Sequence, residues 1–549
     1  MVEVFIFNSA AMGNMSTAMD NMRLDPADAS PSATDRISEL PEDVMNRILF
    51  LLPPKEAART SILSKNWLNQ WNSLPIFNLC TKSLPGRNNL LKEDCPNFGA
   101  NVDEYLNHID KSLQKVRDHK VLIGKFELDL FLCEEKHTLR INKFIELATK
   151  NCVKELILHT FLHYPYPQPS LPLAIFETCS FTVLDLGSWD LMPAFSKLEN
   201  YPKFPCLREL SLSHVNLEEK ILQNLLACCP MIERFALKYC WSVKHILLRN
   251  LPKLKIAFIM GPRKVEILEG VNIQELECFS SMNTPLVLRL VCFDYLKTLR
   301  LSTVFTEQNI QGLIDNSPHL HTLILSPTNT LERLKFSSHQ LRHLHLDNLY
   351  HFGQVEIDAP NLRHFLCYIN GGELHNDNPF PSSILVATTR PLKAQFCVFG
   401  NYPLTNQSFH NLRKYFQLFQ YNAAVYINGF LDVNDSIVAQ LGDNPAAHLD
   451  RLELKYSSSL FDYAAVLDYF LMLFRPIEIS VTAIEESSTE FTKFLLVKFL
   501  TREENPVCCS NCRVKCWRHY LENVKIRSLS RSVEPDQEVV FTLNWMKYI

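Results

Sequence analysis

Residues 320–346 read LHTLILSPTNTLERLKFSSHQLRHLHL. Two hexamers in it, LHTLIL from Leu320 and LRHLHL from Leu341, share one pattern: apolar, two variable positions, apolar, variable, apolar. In an extended chain successive side chains point to opposite faces. The fourth and sixth positions of each hexamer therefore face a common core, and the third and fifth face outward. The same pattern begins at Val153 (VKELIL), Phe181 (FTVLDL), Leu207 (LRELSL), Ile232 (IERFAL), Leu254 (LKIAFI), Ile273 (IQELEC), Leu296 (LKTLRL) and Leu362 (LRHFLC). Successive starts are 28, 26, 25, 22, 19, 23, 24, 21 and 21 residues apart. One short strand per unit cannot bury its apolar face alone, but a stack of them builds a continuous core.

This spacing lies in or near the window of leucine-rich repeats, and the fold class expected is mixed α/β, an irregular leucine-rich-repeat solenoid. Some stretches between strands read as helix: Glu218–Cys228, with Ile221, Leu222, Leu225 and Leu226 apolar, and, more weakly, Gln308–Asn316. Two further matches, Val243–Leu248 and Leu331–Phe336, fall between repeats and blur the register. Past Cys367 the pattern decays. NDNPFPSS (Asn376–Ser383) reads as an insertion or loop, and LDRLEL at Leu449–Leu454 as a resumption or cap. The expected organisation is a disordered leader (1–34), a helical segment (35–75), a helical connector (76–150), the repeat array (151–370), and degenerate repeats with a C-terminal cap (371–549).

Composition narrows the function classes. The chain has 549 residues, 55 basic and 59 acidic, with a net charge of -4. A general nucleic-acid binder is usually basic. Glycine is scarce, 14 in all, and no glycine-rich phosphate loop is present, so nucleotide chemistry is disfavoured. The 17 cysteines are scattered through apolar segments, which reads as reduced thiols rather than a disulfide framework. Residues 1–34 carry one basic residue, Arg23, and no long apolar stretch. Neither a signal peptide nor a membrane span is expected, leaving the nucleus and the cytoplasm.

Residues 35–75 read DRISELPEDVMNRILFLLPPKEAARTSILSKNWLNQWNSLP. Pro41 suits a first helical turn, and Glu42 and Asp43 complement the helix dipole. Val44, Ile48, Leu49, Leu51 and Leu52 form a broad apolar face that Pro53-Pro54 terminates. A second helix spans about Lys55–Leu63. Ser64 can cap a third that places Trp67 and Trp71 on one face. Forty residues cannot bury all this apolar surface alone; it packs on the rest of the chain or docks on a partner.

Few residues invite catalysis. Cys509, Cys512, Cys516 and His519, with Cys508 beside them, resemble half of a zinc hook, but the second hook is missing. No metal and no cofactor are expected, and the thiols read as structural. His339, His343, His345, His351 and His364 cluster without a carboxylate that the sequence places in reach. The outward ladder offers recognition instead: Glu155, Asp185, Glu209, Arg234, Glu275, Glu277, Thr298, Arg300, Thr322, His343, His345 and His364. Its early rungs are acidic and its late ones carry Arg and His, a zoning that suits a protein partner.

Residues 35–75 resemble an F-box of the form found in plant F-box/LRR proteins. The match lies in Asp35-Arg36-Ile37-Ser38, Leu40-Pro41, Ile48-Leu49, Leu52-Pro53, Glu56-Ala57-Ala58-Arg59-Thr60-Ser61, Leu63-Ser64-Lys65, Trp67 and Trp71. CPMIERFALKYC (Cys229–Cys240), DAPNLRHF (Asp358–Phe365) and the tail around Cys508–Ile526 are similar to family phrases. The resemblance implies an N-terminal three-helix F-box before the solenoid. It implies a non-catalytic substrate-recognition subunit of an SCF-type cullin–RING ubiquitin ligase. The F-box would dock a Skp-type adaptor, and through it a cullin, by Leu40, Pro41, Ile48, Leu49, Leu52, Ala57, Leu63, Trp67 and Trp71; some of these must instead hold the helices together. The repeat face would hold a protein substrate, with no nucleic acid or membrane involved. A non-degradative scaffold, a small-ligand receptor and a cysteine-hook metalloprotein are the alternatives.

Overall fold

The computed structural model describes residues 40–51, 59–72 except 61, 76–80, 90, 98–119, 122–162 except 133, 167–198, 203–267, 272–280 and 287–290. Further on it describes 294–371 except 305, 330 and 349–351, 381–404 except 382, 390 and 391, 423–431, 447–455, 467–483 except 469 and 473, 486–501, 517–528 and 537–546. The expected leader, the NDNPFPSS segment apart from Pro381 and Ser383, and Cys508–Cys516 lie outside these residues. The chain divides into two compact units, Met1–Asn272 and Ile273–Ile549.

Unit 1 opens with α1 (Glu42–Leu51) and α2 (Lys65–Asn72). The Pro41 carbonyl accepts the Val44 and Met45 N–H groups, so the helix begins where the proline's missing donor costs nothing. Ser64 caps α2, its Oγ accepting the Trp67 N–H at 3.2 Å. Next come β1 (Ile76–Cys80), α3 (Phe98–His119), β2 (Leu122–Leu132), α4 (Glu135–Lys150) and β3 (Glu155–Leu162). Residues 76–150 thus supply two strands besides the expected helices. β1 pairs parallel with β2, and β2 with β3, so the ladder starts ahead of the first hexamer.

The ladder continues parallel through β4 (Val183–Gly187), β5 (Glu209–Ser213) and, after α5 (Glu219–Ala227), β6 (Arg234–Lys238). β7 (His245–Leu248) follows, then β8 (Ile256–Met260), which pairs with β6, and β9 (Lys264–Ile267). β7 and β9 pair with each other in a second parallel ladder, which is the role of the off-register match at Val243–Leu248. In the main ladder the fourth and sixth hexamer positions are buried: Leu156 and Leu158, Leu184 and Leu186, Leu210 and Leu212, Phe235 and Leu237, Ala257 and Ile259.

Four successive strands of the main ladder, β4, β5, β6 and β8, are each followed by a residue of positive φ. Ser188, His214 and Tyr239, directly after β4, β5 and β6, have φ of 61°, 53° and 54°, and Gly261 after β8 has 113°. Their N–H groups reach across: Ser188 to the Ser213 carbonyl at 2.8 Å, His214 to Lys238 at 2.8 Å, Tyr239 to Met260 at 3.1 Å. The left-handed conformation costs a non-glycine residue roughly 1–2 kcal/mol, which the extra inter-repeat bond offsets.

Unit 2 repeats the plan. Its strands are β10 (Glu275–Phe279), β11 (Val287–Leu290), β12 (Thr298–Thr303), β13 (Thr322–Pro327), β14 (Leu331–Ser337), β15 (His343–Leu346), β16 (Phe352–Asp358), β17 (His364–Gly371) and β18 (Ser383–Ala387). α6 (Glu307–Asp315) lies between β12 and β13, its N–H at Asn309 bonded to the capping Thr306 hydroxyl. The main ladder runs β10, β12, β13, β15, β17, all parallel. β14, β16 and β18 form a second parallel ladder, so the off-register LERLKF is a strand of its own.

Beyond Cys367, where the sequence pattern fades, the main ladder continues. β19 (Lys393–Leu404), β20 (Ala423–Leu431), β21 (Ala447–Lys455) and β22 (Phe474–Ala483) extend it in parallel order. LDRLEL is β21, with Leu449 and Leu452 buried. α7 (Glu486–Leu500) follows, and β23 (Leu521–Ser528) and β24 (Gln537–Trp545) close the sheet antiparallel on β22. Asp468 anchors this end, accepting both Arg518 (2.8 and 3.0 Å) and the Trp517 indole N–H (2.6 Å).

Candidate functional site

The N-terminal helices close a small core of their own. Met45, Leu49 and Trp67 are buried together, with Leu40 and Ile48 packed against them. Truncating such a tryptophan typically costs about 3–5 kcal/mol, so Leu49 and Trp67 hold α1 to α2. What this core leaves outside is also apolar. Pro41 is exposed, and Val44, Ile62 and Leu63 keep 38%, 59% and 54% of their surface in water. Leu52 and Ala57 lie outside the described residues, as does the Trp71 side chain. The sequence could not separate residues that hold the helices from residues on the rim; burial does.

On the ladder of unit 1 the outward charges meet one another. Asp185 accepts His159 Nε2 at 3.2 Å, and Gly187 makes room for that ring: a Cβ there would stand 2.8 Å from His159 Cδ2. Glu209 faces Arg234 at 3.7 Å, and Glu155 is in register with Lys125. One position earlier in the hexamers, Glu233 lies between Arg208 (3.5 Å) and Lys255 (3.0 Å). The Lys255 ammonium, with Arg208 behind it, holds the Glu233 carboxyl below its usual range.

Unit 2 differs. Glu275 is exposed and in register with Thr298; Glu277 is half-buried and in register with Arg300. Arg300 lies over the Phe279 ring and 3.8 Å from Asp347, which also accepts the Ser326 hydroxyl at 2.5 Å. Thr322, His343 and His364 stand in one row, and the rings of the two histidines stack at 4.8 Å. Burial, then His364, Arg342, Arg363 and His321, hold His343 below the usual imidazole range. Burial also lowers His345, against the opposing pull of Asp347.

The sequence reading missed the second position of each hexamer. It runs Lys154, Thr182, Arg208, Glu233, Lys255, Gln274, Lys297, His321, Arg342, Arg363. None of these is buried, and each stands one residue ahead of its strand. The signal was in the sequence as a mostly basic column; alternation from the third position onward passed over it.

Burial pushes the Cys229 and Cys240 thiols up to about 12 and about 11, where they are poor nucleophiles at neutral pH. Among the described residues no group of three His, Cys, Asp or Glu side chains could hold a metal ion. Of the cysteine-hook residues only His519 is described, in a short 3₁₀ turn (Trp517–His519).

Comparison with known proteins agrees with this layout. Residues 37–79 match the F-box domain family. Residues 141–277 and 265–394 match the LRR repeats described for the FBD-associated F-box protein At5g56370. The chain is 29% identical over 206 residues to the F-box/FBD/LRR-repeat protein At1g51370 of Arabidopsis thaliana, covering 37% of this chain and 40% of that one. It is 25% identical over 357 residues to the FBD-associated F-box protein At5g60610 of the same plant, covering 54% and 84%. F-box/LRR-repeat protein 25, also from Arabidopsis thaliana, is 27% identical over 216 residues, covering 39% and 71%. The chain spans half or less of the length of several of the curated relatives it matches. With a helical module matched as an F-box at one end and stacked parallel strands matched as its associated repeats behind it, the chain is an F-box and leucine-rich-repeat protein similar to those of plants.

Proposed function

We propose that this chain is the substrate-recognition subunit of an SCF-type cullin–RING ubiquitin ligase, acting in the nucleus or cytoplasm. The F-box docks a Skp-type adaptor, and through it a cullin, while the outward ladder holds a protein substrate. Other subunits transfer ubiquitin, so the chain itself needs no catalytic group and no cofactor. The observation that carries this reading is the apolar rim on the residues matched as an F-box. Val44, Ile62 and Leu63 stay exposed although Met45, Leu49 and Trp67 have already closed the core. Exposed apolar side chains grouped on a small helical module favour burial against a partner.

The test is co-purification with a Skp-type adaptor. Val44→Glu with Leu63→Glu puts charge on the rim without entering the core, and adaptor affinity should fall at least tenfold while the far-ultraviolet circular dichroism is unchanged. Leu40→Ala with Pro41→Ala should also weaken docking, in part by loosening the packing of Leu40 on the core. Trp67→Ala should abolish it by unfolding the module. Adaptor affinity that is unchanged in the rim variant would overturn the docking role.

A further inference from the structure

The edge of the unit 2 ladder carries a row of basic residues that no carboxylate pairs with among the described residues. Lys297, His321, Arg342 and Arg363 occupy the same place on four successive rungs. Each amide N–H bonds the carbonyl of the residue before it in the row: His321 to Lys297 at 2.9 Å, Arg342 to His321 at 2.9 Å, Arg363 to Arg342 at 2.8 Å. Lys297, Arg342 and Arg363 are exposed and His321 is half-buried. Lys297 is satisfied only by the neutral Gln274 amide, at 3.4 Å. Among the described residues no carboxylate pairs with Arg342 or Arg363. Next to the row lie His343 and His364. The neighbours that act on His343 electrostatically are His364, Arg342, Arg363 and His321, all of them cationic when charged. His321 likewise faces Arg342, His319 and Lys297.

Arg342 and Arg363, like charges one inter-strand step of about 4.8 Å apart, repel. Such a row adds nothing to folding, and unit 1 shows that the same fold accepts a carboxylate in it, since Glu233 there pairs with both Arg208 and Lys255. An open positive row is attractive to a negative partner.

We infer that this row is the docking site for an extended acidic segment of a protein partner. The row spans about 14 Å over three inter-strand steps, the length of roughly four residues of extended chain. Carboxylates on such a segment meet the two guanidinium groups, which form paired hydrogen bonds with carboxylate oxygens. A nucleic acid fits less well, because the patch is short and the chain as a whole carries a net charge of -4. The inference takes from the proposed function only that the repeat face holds the partner.

The probe is a fluorescein-labelled twelve-residue peptide alternating Glu and Ser, titrated with the full-length chain and read by anisotropy. Binding should weaken at least tenfold in Arg342→Glu with Arg363→Glu. It should weaken by a smaller factor in Arg342→Gln with Arg363→Gln, which removes charge without reversing it and guards against misfolding. It should weaken with added salt, as screening requires. Arg208→Ala with Lys255→Ala in unit 1 should change it less than twofold. The inference is overturned by absent binding, or by binding that the Arg342/Arg363 variants leave unchanged. It is also overturned by a single-stranded oligonucleotide of equal charge that displaces the peptide at lower concentration than unlabelled peptide does, or by a dimer that the same double variant dissociates. Adaptor co-purification is read on the same samples, so loss of peptide binding with the adaptor retained counts against this inference alone.

Discussion

In the ladder of unit 1, Glu233 stands between Arg208 and Lys255 and pairs with both. At the same place in the ladder of unit 2, Arg342 stands between His321 and Arg363 and pairs with neither. In each ladder the strands pair parallel and the burial pattern is the same. A single carboxylate in one column therefore decides whether the cations beside it are paired. Exposed ion pairs contribute only about 0–1 kcal/mol each, so the difference matters little to folding. It matters to what can approach: unit 1 has answered its own charges and unit 2 has not.

If the two units differ in surface and not in principle of construction, each should fail when its ladder is wedged open, to a degree set by what the wedge meets. A Cβ on Gly353 of β16 would stand 2.5 Å from the Glu332 carbonyl oxygen, which is backbone held in β14. A Cβ on Gly187 would meet only the imidazole of His159, which can turn aside at the expense of its pair with Asp185. Gly353→Ala is expected to destabilise by about 1–3 kcal/mol, as overpacking does, and Gly187→Ala by less. Urea unfolding followed by limited proteolysis would rank them; a larger loss for Gly187→Ala would contradict the assignment of a rigid obstacle to one and a movable one to the other.

A smaller effect should come from converting one ladder into the other. Glu233→Gln removes the carboxylate between Arg208 and Lys255 and leaves two open cations with one rung between them, as Lys297 and Arg342 flank His321 in unit 2. Stability should change by no more than about 1 kcal/mol. Affinity for the acidic peptide should rise several-fold, or a second, weaker binding event should appear. An unaltered isotherm would mean that a pair of open cations is not sufficient and that the histidine row beside Arg342 and Arg363 is needed.

The solenoid was legible because its code is local. A strand alternates in steps of two, and Leu299 and Leu301, or Leu344 and Leu346, announce their burial by that alone. The second ladders were half legible: LERLKF was visible as a match but not as a separate sheet, since which strands pair is decided by chain geometry between repeats. β21 was legible as LDRLEL, but β19, β20 and β22 were nearly illegible, because strands covered by neighbours on both sides tolerate mixed side chains such as the Ala, Gln and Cys of β19. On the F-box, spacing marked an apolar face but could not say that Trp67 faces inward and Leu63 outward. That division depends on how α1 and α2 cross. Pairing of outward charges was beyond reach for a similar reason, because Glu233 meets Arg208 and Lys255 across rungs more than twenty residues apart in sequence.

The smallest expected effect is the titration of His343, and it tests the charge of the unit 2 edge without any ligand. Its imidazole is held below the ordinary value near 6.5 first by burial, then by His364, Arg342, Arg363 and His321; no acidic neighbour opposes them. The unfolded chain therefore takes up its proton first as the pH falls below about 6.5. Protons bound in excess by the unfolded state lower stability, so stability present above that pH is lost as the pH falls through the folded-state value and is flat below it. His321 and His345 are lowered in the same direction, by burial in each case before any charge. Unit 2 should thus weaken as the pH falls below about 6.5. In a proton NMR titration the His343 midpoint should lie below 6.5 and move upward in Arg342→Gln with Arg363→Gln. It should remain below 6.5 there, because burial, the larger cause, is untouched. A midpoint that the double substitution does not move would mean that solvent screens the two guanidinium groups from the ring, and the row would then be too diffuse to act as one site.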